Sequence, residues 1–369
     1  MSDTNLQPKE HFHGSDLEKI EAIYHIKKED IISFSANINP LGISGKLKAS
    51  LAEHLDAIQT YPDREYTELR KTMAAYAGTS YENVIVGNGS TELISLVITA
   101  IAPKRAMVLA PSYSEYEREI TLRGGELVSY NLQEEQDFRL DLTDFCAQLT
   151  DDLDLLVFCN PNNPTSSAVN RDDMRCILTA CREHGIFVMV DETYVEFTDP
   201  KDRISSVPLT AEFDNLVVLR GTSKFFAAPG LRLGYAITSG ETLRSEILTQ
   251  QNPWSISSLA EIAGRLMFLD EEYIARTTAL INTERIRLAE ELQTWNTVKL
   301  YPAYGNFQLV KILKEDVDAY ALFDHCIRKG LMIRNCSTFS NLSDKYFRFC
   351  YMNPEDNDRL LAALRELLG

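Results

Sequence analysis

Short apolar segments alternate with amphipathic helical patterns along the chain from about residue 83 onward. The apolar segments read NVIVG, AMVLAP, LLVFCNP, IFVMVDE, NLVVLR and LRLGYAI, and the helical patterns include STELISLVITAIA, SEYEREITL and RDDMRCILTACREHG. Continuous apolar strands separated by amphipathic helices are typical of a mostly parallel sheet that helices cover on both faces. The pattern therefore predicts an α/β fold with its ligand site at the carboxyl ends of the strands.

The pattern changes near Asn252. A long helical stretch follows, over roughly 255 to 295, and after it the short strands VKLY, FQLVKI, LMIR and YFRFCYM are mixed with helices. This second pattern predicts a smaller α+β domain, in keeping with a chain of 369 residues, which is longer than one hydrophobic core usually serves. We predict an N-terminal arm over 1–45 that packs with the small domain, a large domain over 46–252 and a small domain over 253–369.

Polar residues follow four of the predicted strands at the point where each strand ends. Asp191 and Tyr194 follow IFVMV, Asn160 to Pro164 follow LLVFC, Gly87 to Thr91 follow NVIV, and Gly221 to Lys224 follow NLVVLR. Each end alone has an ordinary structural explanation, because Asp and Asn commonly end strands and Ser or Thr commonly caps a helix. Four such ends on one parallel sheet should converge in space, so we expect a shared site.

One part of this expected site is suited to an anion. Gly89, Ser90 and Thr91 stand where a helix begins, and they offer unpaired backbone N–H groups and hydroxyls. Arg232, in GLRLGYA, can bind the same anion with both arms of its guanidinium, a geometry that suits phosphate.

The other part is suited to an aldehyde and a basic ring nitrogen. Lys224 lies among small and apolar residues near a second cation, a setting in which a lysine loses its proton more easily and becomes nucleophilic. Asp191, at the end of a buried strand, needs a cationic partner to compensate its desolvation. A phosphate, an aldehyde and a protonatable ring nitrogen together describe pyridoxal 5'-phosphate.

The bulk composition excludes several other classes of protein. The formal net charge of −17 argues against a protein that coats nucleic acid or an anionic membrane. Residues 1 to 30 are charged throughout and lack the apolar core of a signal peptide, and the seven cysteines contain no CxxC pair. We therefore expect a cytoplasmic protein without a disulfide framework, a metal site or a membrane-spanning helix.

Four motifs in order resemble those of a known family. They are GNGSTE (Gly87 to Glu92), NNPT (Asn162 to Thr165), DE-x-Y (Asp191 to Tyr194) and SK-x5-G-x-R-x-G (Ser223 to Gly234). Over nearly its whole length the chain resembles the fold-type I pyridoxal-phosphate enzymes of the class I/II aminotransferases. The resemblance implies a seven-stranded sheet in the large domain, pyridoxal 5'-phosphate as the cofactor, and a homodimer.

The resemblance also implies roles for residues around the cofactor. Lys224 would condense with its aldehyde, and Asp191 would pair with its ring nitrogen. Asn163 and Tyr194 would hydrogen-bond the ring hydroxyl, and Tyr113 would stack on the ring. The cofactor phosphate would be bound by Gly89, Ser90, Thr91, Ser223 and Arg232, and by Tyr61 of a neighbouring subunit.

Further stretches resemble enzymes that act on phosphorylated amines. FSANINPLG, which contains Asn37, and NPWSISSLAE are similar to threonine-phosphate decarboxylases of cobamide synthesis, and histidinol-phosphate aminotransferases share the same frame. By this resemblance Arg348 would bind the substrate carboxylate, Arg334 would bind the substrate phosphate, and Asn37 and His13 would assist at the substrate.

Two residues depart from the family pattern. Ser166 stands in place of the usual glycine after NPT, and Gly221 replaces a hydroxyl residue three positions before the lysine. The second departure leaves more of the phosphate binding to Ser223, Ser90 and Arg232.

Two reactions remain open on the sequence, and they differ in the substrate bond that the site holds perpendicular to the cofactor ring. We place transamination of a small phosphorylated or phosphonate amino compound slightly ahead of decarboxylation of a phosphorylated amino acid. A binding module that has lost catalysis is disfavoured by the retained Lys224, Asp191 and Arg232. A dinucleotide-dependent dehydrogenase is disfavoured because no GxGxxG turn follows the first strand.

Overall fold

The computed structural model describes residues 12–369, so part of the predicted N-terminal arm lies outside the described residues. The helices are α1 Leu17–Tyr24, α2 Gly45–Glu53, α3 Thr67–Ala77, α4 Gly89–Ile101, α5 Ser114–Leu122, α6 Leu142–Ala147, α7 Arg171–Glu183, α8 Glu241–Gln250, α9 Ser258–Met267, α10 Glu271–Gln293, α11 Ala319–Ile327 and α12 Pro354–Leu368. The strands are β1 Ile32–Ser33, β2 Val84–Gly87, β3 Arg105–Ala110, β4 Glu126–Asn131, β5 Leu155–Cys159, β6 Phe187–Asp191, β7 Leu216–Gly221, β8 Gly234–Ile237, β9 Val298–Leu300, β10 Phe307–Ile312, β11 Leu331–Met332, β12 Arg334–Asn335 and β13 Tyr346–Cys350.

Seven strands form the central sheet, in the order β2-β8-β7-β6-β5-β3-β4. All neighbouring pairs are parallel except the two that β8 makes with β2 and β7. This arrangement confirms the predicted α/β fold with a mostly parallel sheet. Because one strand runs against the others, the amino end of β8 lies between the carboxyl ends of β2 and β7.

The central strands are apolar over most of their length because helices cover both faces of the sheet. In β5, alternate residues enter different hydrophobic cores: Leu155 and Val157 belong to the core that contains α4, α5 and α8, whereas Leu156 and Phe158 belong to the opposite one. Such two-sided burial produces a continuous apolar run rather than the alternation seen in half-exposed strands. The charged residues of β3, β6 and β7, which are Arg105, Asp191 and Arg220, accordingly lie at or next to the strand ends.

A smaller antiparallel sheet, in the order β12-β13-β10-β9, follows in the C-terminal part of the chain. The segment LMIR, predicted as one strand, forms two: β11 pairs in parallel with β1 from the N-terminal arm, and β12 pairs with β13. The predicted division into an arm over 1–45, a large domain over 46–252 and a small domain over 253–369 stays a prediction.

The helical stretch predicted over roughly 255 to 295 is two helices rather than one. The first, α9, ends at Met267, and α10 begins at Glu271. Asp270 between them caps α10, since its side chain accepts a hydrogen bond from the backbone N–H of Tyr273. No helix within residues 12–369 is long and apolar enough to cross a membrane.

Candidate active site

The carboxyl ends of four strands bring the predicted polar residues to one edge of the central sheet. Cys159 of β5 pairs with Asp191 of β6, and Gly87 of β2 and Gly221 of β7 both pair with Gly234 of β8. Since β6 also pairs with β7, these four ends lie side by side. The convergence expected from the sequence is therefore present in the structure.

Lys224 lies three residues beyond the end of β7. Its Nζ donates a hydrogen bond to the carbonyl oxygen of Ala36 at 2.7 Å, and its own carbonyl accepts one from the backbone N–H of Asn39. Burial, and after it the positive charge of Arg348, lower the pKa of Lys224 to about 8. An amine with this pKa is neutral in an appreciable fraction of molecules near neutral pH, as a nucleophile or a proton carrier must be.

The lowered pKa of Lys224 predicts a distinctive chemical reactivity. In the cofactor-free protein, Lys224 is expected to react with acetic anhydride with a pH midpoint of about 8. Competitive labelling across a series of pH values, read by peptide mass spectrometry, measures this midpoint. A midpoint near the ordinary lysine value of about 10.4 would contradict the burial and charge effects described above.

Asp191 is buried at the end of β6 and holds three hydrogen-bond donors. Its Oδ2 accepts from the hydroxyl of Tyr116 at 2.7 Å, and its Oδ1 accepts from the backbone N–H and the hydroxyl of Thr193 at 2.9 and 2.5 Å. Burial raises the pKa of Asp191 above its ordinary value, whereas the hydrogen bonds from Thr193 and Tyr116 act in the opposite direction. A protonated ring nitrogen would further stabilise the ionised form of this carboxylate.

Tyr116 was not identified from the sequence. It lies in the first turn of α5, three residues after Tyr113, which directly precedes the helix, and the centroids of the two rings are 5.6 Å apart. This helical spacing within PSYSEY was the available signal, because a tyrosine one turn from a candidate ring-stacking residue points toward the same site.

Replacing Tyr116 by phenylalanine is expected to weaken cofactor binding about 10- to 100-fold, because a hydrogen bond to a charged group contributes about 1.5–3 kcal/mol. Titration of the cofactor-free protein with pyridoxal phosphate, followed by absorbance, gives the dissociation constant. Tyr113→Phe is the matched control, since it also removes one hydroxyl but leaves Asp191 with all its donors. Equal affinity for pyridoxal phosphate in Tyr116→Phe and the parent chain would show that the hydrogen bond from Tyr116 to Asp191 does not contribute to cofactor binding.

The start of α4 forms a cradle for an anion. Gly89 has a φ of 80°, and a side chain at this position would overlap with the guanidinium of Arg232. Arg232 in turn donates through Nη2 to the carbonyl oxygen of Asn88 at 3.5 Å. The first N–H groups of a helix lack partners within the helix, so Ser90 and Thr91 in the first turn complete a site suited to phosphate.

The departure at Gly221 concerns the same cradle. A Cβ added at Gly221 would lie 3.7 Å from Oγ of Ser90, so a hydroxyl side chain here would reach the cradle as well. Glycine cannot supply that hydroxyl, so the binding of a phosphate by Ser90, Ser223 and Arg232 stays a prediction. Ser223 is partly exposed at the end of the β7 loop.

The departure at Ser166 is accommodated by the local backbone. Ser166 has a φ of 59°, in the left-handed region that favours glycine, and its Oγ accepts a hydrogen bond from the backbone N–H of Gly305 at 2.9 Å. The serine thus keeps the backbone conformation of a glycine and adds a link to the residue before Asn306 and β10. The neighbouring Asn162 and Asn163 are buried.

Residues 34–39, which we call the strap, lie between the Lys224 loop and β13. The carbonyl oxygen of Ala36 accepts the hydrogen bond from Nζ of Lys224, and the carbonyl oxygen of Ser35 accepts one from Nη2 of Arg348 at 2.8 Å. The side chain of Asn37 donates to the hydroxyl of Tyr194 at 3.3 Å, and its Oδ1 is buried without a protein partner. The strap therefore places Asn37 at the site, as predicted, and contributes two carbonyls that sequence reasoning missed.

Arg348 and Arg334 are directly opposite each other on neighbouring antiparallel strands, in the register Arg334↔Arg348. Arg348 is buried, hydrogen-bonds Oδ1 of Asn163 and lies 5.1 Å above the ring of Phe307. Arg334 donates to the backbone carbonyl of Phe12 and is half-buried. Burial and the charge of Arg348 lower the pKa of Arg334. Two arginines on one face of neighbouring strands make this part of the small sheet electrostatically positive, a setting suited to anionic groups.

His13 lies beside this pair of arginines. Burial and the positive charge of Arg334 lower its pKa, Lys224 and Arg348 add smaller effects in the same direction, and Asp16 opposes them. Its Nδ1 lies 2.8 Å from Oγ of Ser15. A role of His13 at the substrate stays a prediction.

Tyr61 lies apart from these residues, on the surface of the chain. It is 80% exposed, and its ring packs against that of Trp254 at a centroid distance of 4.9 Å. The single chain does not bring Tyr61 into the cradle formed by Gly89 and Arg232, so its role at a neighbouring subunit stays a prediction.

A buried ion pair links the ends of β6 and β7. Nη2 of Arg220 lies 2.9 Å from the carboxylate of Glu192, and both side chains are nearly inaccessible to solvent. Glu192 directly follows Asp191, and Arg220 is four residues before Lys224, so this pair links the two strand ends that carry the central groups. The sequence signal was a charged residue inside each buried strand end, which has to be paired.

The fold and the site together define a fold-type I pyridoxal-phosphate enzyme. The family model of aminotransferase class I and II matches residues 29–364, and the chain belongs to this family. Within residues 12–369, no cluster of His, Cys, Asp and Glu side chains is arranged to hold a metal ion.

Named relatives fall into two groups of enzymes. The chain is 32% identical to the threonine-phosphate decarboxylase of Salmonella typhimurium over 96% of both proteins. It resembles the crystal structure of histidinol-phosphate aminotransferase from Clostridium acetobutylicum at a TM-score of 0.84 and 31% identity, covering 90% of this chain and 98% of that one. The histidinol-phosphate aminotransferase of Sinorhizobium meliloti in complex with pyridoxal 5'-phosphate shares the fold, with a TM-score of 0.86, 22% identity and coverage of 100% and 98%.

The residues at the sheet edge fit pyridoxal 5'-phosphate. The cradle at Gly89 and Arg232 matches a phosphate group, and the buried Asp191 matches a protonated ring nitrogen. Lys224, with its lowered pKa, matches an aldehyde that condenses with a neutral amine. All three groups are supplied by ends of the same sheet.

Proposed function

We propose that this enzyme decarboxylates a small phosphorylated α-amino acid, as the name of its Salmonella relative says of that protein. The structural support is the register pairing of Arg334 and Arg348, which brings two arginines to one face of the small sheet. The same pair would also suit a phosphorylated amine together with the carboxylate of its amino-group acceptor, and the name of the Salmonella relative favours the decarboxylase. A phosphorylated amino acid offers one carboxylate and one phosphate, and it can neutralise both cations at once. Histidinol phosphate has a phosphate but no carboxylate.

When bound, pyridoxal phosphate supplies an aldehyde for the substrate amine and a protonated ring that accepts the electron pair of the bond that breaks. Asp191 would keep that ring protonated, and Tyr194 and Asn163 would orient it. Arg348 would bind the carboxylate that leaves as carbon dioxide. Lys224, through Nζ, would then return a proton to the carbon from which the carboxylate has departed.

The substrate phosphate would be bound by Arg334. His13, next to Arg334, would donate a further hydrogen bond to the phosphate when protonated, and Asn37 would contact the substrate from the strap. The buried Oδ1 of Asn37 has no protein partner and is free to accept a hydrogen bond from the substrate amine. These assignments account for the four predicted substrate-binding residues.

Transamination of a phosphorylated amine is the second candidate. Its support is the likeness to the histidinol-phosphate aminotransferase of Clostridium acetobutylicum. The sequence identity to that protein is about the same as the identity to the Salmonella decarboxylase. In that reaction Lys224 would remove the proton on the amine-bearing carbon instead, and Arg348 would bind the carboxylate of an amino-group acceptor.

Incubation with defined substrates separates the two reactions. The cofactor-loaded enzyme is given O-phospho-L-threonine labelled in its carboxylate, and separately histidinol phosphate with 2-oxoglutarate. Release of labelled carbon dioxide from the first, with no glutamate from the second, supports the decarboxylase. Glutamate formation without carbon dioxide release overturns it in favour of the transaminase, and turnover of neither compound contradicts both.

We also propose that the enzyme is a homodimer in which Tyr61 binds the cofactor phosphate of the neighbouring subunit. The support is the exposure of Tyr61 together with that of two nearby apolar side chains, Leu55 at 56% and Ile58 at 69%. Light scattering after size-exclusion chromatography tests the dimer, and a monomeric mass at micromolar concentration would contradict it.

A further inference from the structure

A loop of the large domain is attached to the small sheet by one carboxylate. Glu134 begins a short 3-10 turn, Glu134–Gln136, in the connection between β4 and α6. Its Oε1 accepts hydrogen bonds from the hydroxyl of Tyr301 and from Nζ of Lys311, both at 2.8 Å. Its Oε2 accepts from the hydroxyl of Tyr346 at 2.6 Å and again from Lys311 at 2.7 Å. We call Glu134 and these three donors the clasp.

All three donors of the clasp belong to the small sheet or its edge. Lys311 lies on β10, Tyr346 is the first residue of β13, and Tyr301 directly follows β9. The register Lys311↔Tyr346 makes two of them direct cross-strand partners. Glu134 therefore contacts, with one side chain, three neighbouring strands of this sheet or the residue directly after one of them.

Neighbouring contacts hold the same loop in place. Lys299 of β9 lies 3.1 Å from the carboxylate of Asp137. The buried ring of Phe138 packs edge-on against Tyr301 at 4.9 Å and against Tyr346 at 6.0 Å. The attachment thus combines charge with apolar packing, and Glu134 is at its centre.

The electrostatics keep the clasp charged. Partial burial on its own would raise the pKa of Glu134, but hydrogen bonds from Lys311, Tyr346 and Tyr301 outweigh it and lower the pKa to about 2. The carboxylate is consequently ionised at any pH suited to an enzyme assay. Hydrogen bonds to an ionised acceptor are about twice as strong as neutral ones.

The clasp lies next to Arg348 on the same face of the sheet. Tyr346 and Arg348 are two residues apart on β13, and side chains at this spacing point to the same side of a strand, about 7 Å apart along it. Arg348 itself hydrogen-bonds Asn163 of the large domain. Strand β13 is thus attached to the large domain at two adjacent points of one face, Tyr346 and Arg348.

We propose that Glu134 is a positioning residue for substrate binding: through Tyr346 and Lys311 it fixes β13 against the large domain, so that Arg348 meets the substrate carboxylate. This inference rests on the proposed role of Arg348 in the function given above. Glu134 contacts Tyr301, Tyr346 and Lys311 rather than the residues that would hold the cofactor.

The test compares Glu134→Gln with Glu135→Gln, an exposed neighbour on the same turn. Glutamine at 134 keeps the size of the side chain but loses the charge and one acceptor. We expect the dissociation constant for O-phospho-L-threonine to rise about 5- to 30-fold, the change that one or two kcal/mol produces. The constant for phosphoethanolamine, which has an amine and a phosphate but no carboxylate, should stay unchanged, as should cofactor affinity.

Calorimetric binding to the cofactor-loaded protein after borohydride reduction, which fixes the cofactor to Lys224 and stops its exchange with the ligand amine, measures these constants without turnover. The clasp is therefore tested even if the enzyme catalyses a different reaction. In kinetics, the expected result is a raised KM with a nearly constant kcat. A double variant with Tyr346→Phe should add little to Glu134→Gln, because both remove one link. Equal weakening of both ligands, no weakening of either, or the same loss in Glu135→Gln would overturn the proposal.

Discussion

Lys224→Ala is expected to lower turnover by at least about 10⁴-fold, because in the proposed mechanism Lys224 is both the amine that condenses with the cofactor and the group that moves the proton. No other lysine is placed at the converging strand ends by the motifs identified above. The phosphate cradle at Gly89 and Arg232 and the carboxylate of Asp191 remain in the variant, so part of the cofactor affinity should survive. Steady-state kinetics and a cofactor titration on the same preparation measure the two effects separately.

Lys201→Ala is the matched control, since this side chain is 89% exposed and lies outside the site. Its turnover should equal that of the parent chain. Borohydride reduction of the loaded parent enzyme should attach the cofactor covalently to the peptide that contains Lys224, as read by mass spectrometry. Attachment to a different lysine, or a Lys224→Ala variant with turnover within tenfold of the parent, would refute the assignment.

Arg334→Gln is expected to raise KM for a phosphorylated substrate by about 30-fold or more, because truncating one partner of a desolvated charge pair costs about 2–5 kcal/mol. The pocket beside it still contains Arg348, so a carboxylate can still bind. Assays of O-phospho-L-threonine and of L-threonine on each variant measure the selectivity of the loss.

The comparison variant is Arg348→Gln, which should weaken both compounds because both carry a carboxylate. Arg334→Gln should weaken the phosphorylated compound alone. If Arg334→Gln reduced the handling of threonine and phosphothreonine by the same factor, the case for a phosphate pocket at this residue would be lost.

The central sheet and the residues at its edge could be predicted from the sequence. Buried parallel strands leave continuous apolar runs, and polar groups directly after them are conspicuous, as Asp191 after IFVMV shows. The parallel topology then places these ends together without any knowledge of side-chain geometry. The class of cofactor followed from the residue types alone.

Other parts of the site depend on contacts distant in sequence. Two hydrogen bonds join segments far apart in the chain, so a local pattern does not reveal them. One runs from Tyr116 to Asp191, and the other runs from Lys224 to the carbonyl oxygen of Ala36. The end of α9 before Asp270 was missed because the apolar periodicity continues across it. The strand β12 has only two residues, too few to reveal its register with Arg348.

That register limits how such a pocket can change. Because side chains alternate along a strand, sliding β12 by one residue would turn Arg334 to the opposite face, and only a shift of two residues, about 7 Å, would keep it on the face of Arg348. The spacing between the two cations can therefore change only in large steps. A change of preference to a longer or shorter substrate would therefore have to come from substitutions around this pair, while the distance between the two arginines stays constant.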